Sequence, residues 1–285
     1  MIQFANQNAD LFIPDDSEPS QALSRTTHLG VGAHQDDLEV MALHGILACY
    51  KQPQKWFGGV TVTNGAGSSR TNEYAGYTDE QMQVVRAEEQ RKSAVVGEFG
   101  FVAQLGYPSS AVKQPQNCDY AADLRTILAG TRPQVVYTHN FADKHDTHVA
   151  VVVPLIRALR ELPEDDRPAE VYGVEIWRDL NWLLDDEKVL LDMSNRPNLV
   201  RAFISIFDSQ ITGGKRYDLA LEGRLRSNAT FFDSHAVDEM NLASYAMDLK
   251  PLVNEPSLDI AGYVDGCIER FREDVRSRVS RFTGD

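Results

Sequence analysis

Two short stretches of the chain carry histidine and aspartate side chains in a pattern that metal ions bind. The first, Ala33 to Glu39, reads Ala-His-Gln-Asp-Asp-Leu-Glu and directly follows an apolar run. The second, His139 to His148, follows another apolar run and contains three histidines and two aspartates. Imidazole nitrogen and carboxylate oxygen are both ligands of zinc in proteins. We therefore predict a site for zinc, or for another divalent metal, built from both stretches.

The predicted metal ligands are His34, Asp37 and His148. Three protein ligands leave a position open for water, which is the pattern of a catalytic zinc. The ion would lower the pKa of that water and polarise a carbonyl oxygen, so such a set hydrolyses an amide or ester, or adds water to an activated double bond. The alternative is that Asp36 and Asp37 only cap the helix that follows.

Two more side chains are predicted to act in catalysis. Asp36 cannot easily point the same way as its neighbour Asp37, so it is available as a base acting on the water. His145 lies three residues before His148 and would donate to the developing oxyanion. His139 either joins the site or only fixes its loop. The other histidines are interpreted as surface or core residues: His28, His44 and His235.

Strands alternate with helices over the first two thirds of the chain, which is typical of a parallel sheet with right-handed crossovers. We predict strands near 28–33, 59–63, 101–105, 133–138 and 171–177. In the common order 3-2-1-4-5, strands one and four are neighbours, so both polar stretches would face each other at their carboxyl ends. The predicted fold is thus α/β: a Rossmann-like, doubly wound, mainly parallel sheet with helices on both faces.

The predicted domain organisation is an N-terminal surface extension, residues 1–27, and a single α/β domain, residues 28–285. Within that domain, residues 28–180 form the Rossmann-like core, while residues 181–285 pack on the sheet and wall the pocket. The pattern in this last part predicts a loop with a short strand over 224–235 and a final helix from about Ser257. Thr78 and Gln81 are spaced as a capping box that starts a long helix.

The composition of the chain limits the classes of partner that it can bind. The chain has 285 residues and a net charge of −14, and nucleic-acid binding would need a basic face. The arginine-rich segment 270–281 is interspersed with acids and apolar residues, so we interpret it as a solvated helix face. Three dispersed cysteines predict a reducing compartment without a disulfide framework. Neither a signal peptide nor a membrane span is recognisable, so we predict a cytoplasmic protein with a small-molecule substrate and no membrane partner.

The loop from Asn64 to Arg70 is rich in small residues and carries one cation. It lacks the three glycines of a dinucleotide fingerprint and the Lys-Ser/Thr pair of a phosphate loop. The chain also lacks the Gly-x-Ser-x-Gly elbow of serine hydrolases. Arg70 is predicted to bind an anionic or hydroxyl group of the substrate, the alternative being a solvent-exposed loop residue. Trp177, Asp179 and Trp182 are candidate pocket walls.

These motifs resemble those of the PIG-L/LmbE-like zinc deacetylases. Ala33 to Glu39 is similar to the family's Ala-His-Pro-Asp-Asp-x-Glu, with Gln35 in place of proline. Asp143 to His148 is similar to its Asp-x-His-Pro-Asp-His. A weaker likeness extends to the family's Arg-x-x-Glu helix at Arg86 and to its Ser-Gln pair at Ser209. The resemblance implies a Rossmann-like sheet and removal of acetate from N-acetylglucosamine units joined to another group.

The resemblance also implies roles for individual side chains. It places zinc on His34, Asp37 and His148, in agreement with the interpretation above. It makes Asp36 the general base and His145 the oxyanion-stabilising histidine.

One position departs from the family pattern. Thr147 stands where the family has the aspartate expected to orient the catalytic histidine, His145. Either Asp143 or Asp146 is then expected to orient it, or His145 is less well tuned.

The predicted function is removal of an acetyl group from an N-acetylated amino sugar or its conjugate. One alternative is a zinc-dependent hydratase of an unsaturated carboxylate, since some relatives of the family are hydratases. Another is a non-catalytic metal- or sugar-binding protein, which Thr147 slightly favours. Family members often form trimers or hexamers, so a homo-oligomer is among the expected assemblies.

Overall fold

A single sheet of eight strands forms the centre of the molecule. The computed structural model describes residues 2–114 and 119–283. The strands are β1 Asp10–Phe12, β2 His28–Gly32, β3 Phe57–Thr63, β4 Phe101–Tyr107, β5 Val135–His139, β6 Glu170–Val174, β7 Lys188–Asp192 and β8 Ala243–Asp248. Their order across the sheet is β1-β4-β3-β2-β5-β6-β8-β7.

The five central strands are parallel and have the predicted order. β2 pairs with β3 and with β5, β3 pairs with β4, and β5 pairs with β6. Counted along the chain among themselves, these five strands stand in the order 3-2-1-4-5. The prediction of a Rossmann-like, mainly parallel α/β sheet is confirmed, and the ends of β2 and β5 lie side by side at the switch point.

Three antiparallel strands that the sequence did not predict extend this core. β1 pairs with β4 at one edge, while β8 pairs with β6 and β7 with β8 at the other. The first 27 residues therefore do more than cover the surface, because they supply β1 and a helix whose Ala22 and Leu23 are buried. β1 has three residues, too few for an alternating pattern to be recognised.

Helices cover both faces of the sheet and bury two apolar clusters against it. The α-helices are α1 Pro19–Ser24, α2 Asp37–Met41, α3 Leu43–Cys49, α4 Asp79–Val96, α5 Ser109–Val112, α6 Asp119–Thr131, α7 Asp146–Arg160, α8 Pro197–Ser205, α9 Asp208–Ile211, α10 Tyr217–Phe231, α11 Lys250–Asn254 and α12 Ile260–Thr283. Short 3-10 helices span Asn72–Tyr74, Glu164–Asp166 and Asp185–Glu187.

The start of α4 follows the sequence prediction. The backbone N–H of Gln81 donates to Oγ1 of Thr78 at 3.3 Å, and the N–H of Thr78 donates to Oε1 of Gln81 at 2.8 Å. This reciprocal pair is the predicted capping box.

The prediction of a loop and a short strand over residues 224–235 is wrong. Residues up to Phe231 continue α10, because Leu221, Leu225 and Ala229 recur every four residues and bury one face of that helix. The aromatic and β-branched run Thr230 to Phe232 favours a strand locally, but burial of the helical face decides the outcome.

Two further sequence expectations concern cysteines and membrane spans. Cys49 and Cys267 are buried free thiols, while Cys118 lies outside the described residues. Over residues 2–114 and 119–283, no helix combines the length and the hydropathy that a bilayer crossing requires.

Candidate metal centre and active site

The two polar stretches meet at the carboxyl edge of β2 and β5. The hydroxyl of Thr138 donates to the carbonyl of Val31 at 3.0 Å, and the backbone N–H of Ala33 donates to Nε2 of His139 at 2.9 Å. His139 thus accepts a hydrogen bond that joins the two strand ends. Of the two interpretations of His139, this geometry favours the one in which it fixes the loop.

His34, Asp37 and His148 come together at this edge, with one ligand atom from each within 4.8 Å of the others. Asp37 is the first residue of α2, and its Oδ2 accepts the backbone N–H of His34 at 2.7 Å. The same oxygen lies 3.3 Å from Nδ1 of His34, and Oδ1 lies 3.4 Å from Nε2 of His148. The start of α2 therefore holds its carboxylate between the two imidazoles.

The hydrogen bonding of His148 suits a metal ion. Its Nδ1 lies 3.1 Å from Oδ2 of Asp143, to which it donates. Its Nε2 is buried and has no hydrogen-bond partner among the described residues, so it offers a lone pair to an ion when that nitrogen carries no proton. A buried polar nitrogen without a partner is rare, and a carboxylate that orients a histidine is the usual outer partner of a metal ligand. These residues fit a divalent cation.

A second group, His139, Asp143 and His148, also brings its ligand atoms within 4.8 Å of one another. In that group, Nε2 of His139 is occupied by the N–H of Ala33, and Nδ1 of His148 is occupied by Asp143. We interpret this group as the hydrogen-bonded support of the first one.

Asp36 points away from Asp37 because its backbone is left-handed, with φ of 89°. Oδ1 of Asp36 lies 3.5 Å from Nη2 of Arg86. The Arg86 guanidinium also donates to the carbonyl of Gln35 at 2.6 Å and to that of Gly65 at 3.4 Å. Burial raises the pKa of Asp36 well above 3.8 against the opposing charge of Arg86, and this suits a group that takes and returns a proton.

The neighbouring carboxyl is shifted in the opposite direction. Burial alone would raise the pKa of Asp37, but the charges of His148 and His139 and the surrounding hydrogen bonds hold that pKa well below 3.8. Two adjacent carboxyls with opposite pKa shifts suit two roles, one as a permanent anion and one as a proton carrier.

His145 lies beside the predicted ligands. Its ring centroid is 4.9 Å from that of His34, edge to face, and 4.6 Å from that of His148, on which it stacks. Burial lowers the pKa of His145 to about 4. Its Nδ1 is buried and has no hydrogen-bond partner within the described parts of the chain.

Of the three alternatives for His145, the hydrogen bonds among the described residues favour the one in which its imidazole is less well tuned. Asp143 accepts the backbone N–H of His145 at 3.1 Å, but its side-chain partner is the imidazole of His148. Asp146 is exposed as the first residue of α7. Thr147 is only 1% exposed and lines the cavity described below.

Arg70 is not among the residues that line the cavity described below. Its guanidinium donates to the carbonyls of Ala66 at 2.7 Å and Tyr77 at 2.9 Å, and it pairs with Asp79. These partners are all in its own loop or at the start of α4, so the structure supports the alternative of a loop residue.

A cavity of about 790 Å³ opens in front of the predicted metal ligands His34 and Asp37, which line it. Asp36, His145 and Trp177 line it, and Trp177 is the one of the three candidate wall residues that does so. Further cationic side chains, which the sequence did not reveal, line the same cavity: Lys113, Lys215, Arg216 and Arg224. Except for Lys113, these come from α10 and the segment before it, whose position depends on long-range packing.

Glu175 is a further cavity residue that the sequence analysis missed. It follows β6, is 1% exposed, and accepts the backbone N–H groups of Leu180 at 3.0 Å and Tyr245 at 3.1 Å. The side chain of Asn228 on α10 donates to it as well. The sequence marks it only as a single acid inside an apolar run. That run was assigned to a strand over 171–177, and the acid within it was not considered as a site residue.

Helix α4 connects the first polar stretch, Ala33 to Glu39, to residues after 181. Arg86 on this helix contacts Asp36. Three residues after Arg86, the carboxylate of Glu89 accepts the N–H of Ser209 at 2.7 Å and its hydroxyl at 2.6 Å. Gln210 then lines the cavity. The two weaker sequence likenesses, at Arg86 and Ser209, thus belong to one structural unit.

Residues 29–159 match the family model described as PIG-L: GlcNAc-PI de-N-acetylase. The comparison with curated proteins returned no match.

Several solved structures share the fold. The N,N'-diacetylchitobiose deacetylase of Pyrococcus horikoshii is 16% identical, with a TM-score of 0.62 over 81% of this chain and 86% of that one. The 4-carboxy-2-hydroxymuconate hydratase of Pseudomonas putida is 16% identical, with a TM-score of 0.60 over 79% and 96%. A conserved protein of Thermus thermophilus is 20% identical, with a TM-score of 0.57 over 82% and 99%.

Proposed function

Since residues 29–159 match the PIG-L family model, we propose that this chain is a zinc-dependent deacetylase that removes the acetyl group from an N-acetylated amino sugar or its conjugate. The observation that carries the proposal is the buried Nε2 of His148. It has no hydrogen-bond partner among the described residues and lies 3.4 Å from the carboxylate of Asp37, which itself lines the cavity. A metal ion at this point would contact whatever occupies that cavity.

His34, Asp37 and His148 would hold the ion, and Asp143 would keep the ring of His148 in the required tautomer. A zinc ion supplies Lewis-acid polarisation of the acetyl carbonyl and a lowered pKa of water. The mixed nitrogen and oxygen donor set suits zinc, and other divalent ions of similar size compete for it.

Asp36 would carry the proton. It accepts a proton from the water whose oxygen forms the new bond to the acetyl carbon, and it returns that proton to the sugar nitrogen as the carbon–nitrogen bond breaks. Acetate and a free amine are the products. Arg86 lies against Asp36 and would hold its carboxylate in one orientation through the cycle.

His145 would stabilise the tetrahedral oxyanion. Its ring stacks on His148 with 4.6 Å between centroids, so an acetyl oxygen near the metal ligands is within its reach. The indole of Trp177 lies 6.4 Å from the His145 ring and offers an apolar face to a sugar. The cavity volume of about 790 Å³ leaves room for a sugar with a substituent.

The proposal is tested by metal analysis combined with acetate release. Wild type should contain about one zinc per chain and should release acetate from members of a panel of N-acetylglucosamine conjugates. The double variant His34→Ala/His148→Ala should lose both metal and activity. Asp36→Asn, the matched control, should keep the metal and lose activity by about 10²–10⁴-fold.

Each outcome has a separate meaning. Metal without turnover on any acetylated amino sugar would support the non-catalytic alternative. A wild-type protein that neither contains nor takes up a divalent metal would contradict the proposal, and equal activity in Asp36→Asn would contradict the role of Asp36.

A second candidate, hydration of an unsaturated carboxylate, is favoured by the cations that line the cavity. Lys215, Arg216 and Arg224 offer positive charge that a carboxylate substrate requires, in a chain whose net charge is −14. Loss of ultraviolet absorbance from unsaturated dicarboxylates, without acetate release from the sugar panel, would favour this candidate.

A further inference from the structure

The C-terminal helix α12, Ile260–Thr283, carries an apolar surface that residues 2–114 and 119–259 leave uncovered. At 24 residues it is about 36 Å long. Cys267 is its one buried residue, and every residue from Val275 to Thr283 is exposed. The second half of the helix thus extends past the body of the protein.

Six apolar residues of α12 fall on one line, of which the first is half-buried and the other five are exposed. Going along the helix, they recur at intervals of four, three, four, four and three residues, which keeps them within an arc of roughly 80°. We call this set the apolar stripe: Val264, Ile268, Phe271, Val275, Val279 and Phe282. Exposure is 47% at Ile268, 55% at Val279 and 89% at Phe282. The arginine-rich segment 270–281 was interpreted as a solvated helix face. That interpretation is confirmed for the charged side of the helix, whereas the opposite side carries the apolar stripe.

From Val264 to Val275 the stripe has the spacing of helices that pair, and a second consecutive interval of four, from Val275 to Val279, shifts that register by one residue. Intervals that alternate between three and four residues build the seam of a two-helix coiled coil, with knobs on one helix entering holes on the other. A helix that lies on its own body would bury such a seam. In α12 no other described part of the chain covers the seam, so the seam is free to bind another molecule.

The charges on α12 are separated along its length. Residues 260–274 contain four acids and two arginines, Arg270 and Arg272, so this part is acidic on balance, while residues 275–283 contain three arginines and no acid. The acids are Asp265, Glu269, Glu273 and Asp274, and the arginines after position 275 are Arg276, Arg278 and Arg281. Two copies of the helix side by side would repel if they were parallel. In antiparallel orientation the acidic part of each meets the basic end of the other.

We propose that the apolar stripe is a self-association surface, on which α12 of a second copy of this chain packs in antiparallel orientation. The two-fold relation makes the contact isologous, so one stripe serves both partners and the assembly closes at two. The apolar stripe supplies the apolar area that the contact buries. The charge separation along α12 favours a second copy of the same helix as the partner and favours the antiparallel orientation.

A membrane surface is the competing occupant. Helices that lie on anionic bilayers carry a strongly basic polar face. The polar face of α12 has five arginines against four acids, so it is almost neutral. This balance suits a partner with the same mixed charges better than an anionic lipid surface.

The test is the mass of the full chain in solution. By sedimentation equilibrium, wild type should be a dimer that dissociates at roughly micromolar concentration. Val275→Asp/Val279→Asp, in the fully exposed part of the stripe, should weaken the dimer at least about tenfold. Ser277→Asp/Ser280→Asp adds the same charge to the opposite face of the same turns and should leave the dimer unchanged.

Orientation is tested with a cysteine at the end of the stripe. In an antiparallel pair, the two copies of position 282 lie about 27 Å apart, so Phe282→Cys should not form a disulfide between copies on oxidation. Rapid formation of that disulfide would contradict the antiparallel arrangement. A wild type that is monomeric at all concentrations would overturn the proposal, and binding of that monomer to phosphatidylglycerol vesicles would assign the stripe to a membrane surface instead.

Discussion

Nδ1 of His148 lies 3.1 Å from Oδ2 of Asp143, and this contact decides which nitrogen of the imidazole faces the other predicted ligands. With the proton held on Nδ1, the lone pair of Nε2 points to the region of Asp37. Asp143 also accepts the N–H groups of His145 and Trp177. One buried carboxylate therefore sets the tautomer of a predicted ligand and the course of the loop around it.

The first prediction concerns this carboxylate. Asp143→Asn should lower zinc affinity by about 10- to 100-fold, because the amide no longer holds the proton on Nδ1 of His148. Competition with a chromophoric chelator measures the affinity. Asp146→Asn, at an exposed position three residues away, is the matched control and should bind zinc like wild type. Equal losses in both variants would contradict the role assigned to Asp143.

The second prediction concerns Arg86, whose guanidinium joins Asp36 to the carbonyls of Gln35 and Gly65. Arg86→Met should reduce kcat by about 10- to 100-fold, since the base loses its orienting partner. It should also lower the free energy of unfolding by about 3–5 kcal/mol, because it leaves buried groups unpaired.

The control for Arg86→Met is metal content. Arg86 contacts no predicted ligand side chain directly, so the zinc content of the folded variant should stay near that of wild type. Urea unfolding and steady-state kinetics on the same preparation separate the two effects. Activity equal to wild type would show that Asp36 needs no help from Arg86.

Much of the fold followed from the sequence because strand ends are local features. The switch from an apolar run to His34 and Asp37, repeated before His148, marks the ends of β2 and β5. Since parallel strands align their carboxyl ends, the meeting of these residues needed only the strand order. The ligand atoms of His34, Asp37 and His148 therefore lie within 4.8 Å of one another because β2 and β5 are neighbours in the sheet. Their binding of a metal remains a prediction.

Side-chain partners could not be predicted in the same way. Asp143 is closer in sequence to His145, yet its carboxylate reaches the imidazole of His148, because the first turn of α7 turns that ring back towards the loop. Arg70 was expected at the substrate, but its partners are two carbonyls and Asp79 nearby. Both outcomes depend on side-chain direction, which residue spacing does not fix.

The third prediction concerns the link between α4 and α9. Ser209→Ala removes the hydroxyl that donates to the buried Glu89 carboxylate at 2.6 Å and leaves only the backbone N–H donor at 2.7 Å. The free energy of unfolding should fall by about 1–3 kcal/mol. Urea denaturation measures it. Ser205→Ala, at an exposed serine on the preceding helix, should cost less than about 0.5 kcal/mol.

The fourth prediction is a pH dependence of stability that arises from His28, away from the predicted metal ligands. Burial lowers the pKa of His28 from 6.5 to about 4. Its Nδ1 contacts Oγ1 of Thr27 at 2.9 Å, and its ring stacks on Tyr137. Between these two pKa values the unfolded chain binds a proton that the folded chain does not, so stability falls as the pH is lowered from 6.5 to about 4.

The variant His28→Gln removes this titration. It should lose less stability than wild type between pH 6.5 and pH 4, by up to about 3 kcal/mol, because no imidazole has to stay neutral in the core. Other histidines titrate in the same window, so the difference between variant and wild type is the quantity to measure, by urea denaturation at each pH. His235→Gln, at an exposed position, should follow the wild-type curve. Parallel curves for His28→Gln and wild type would show that His28 charges in the folded state at its ordinary pKa.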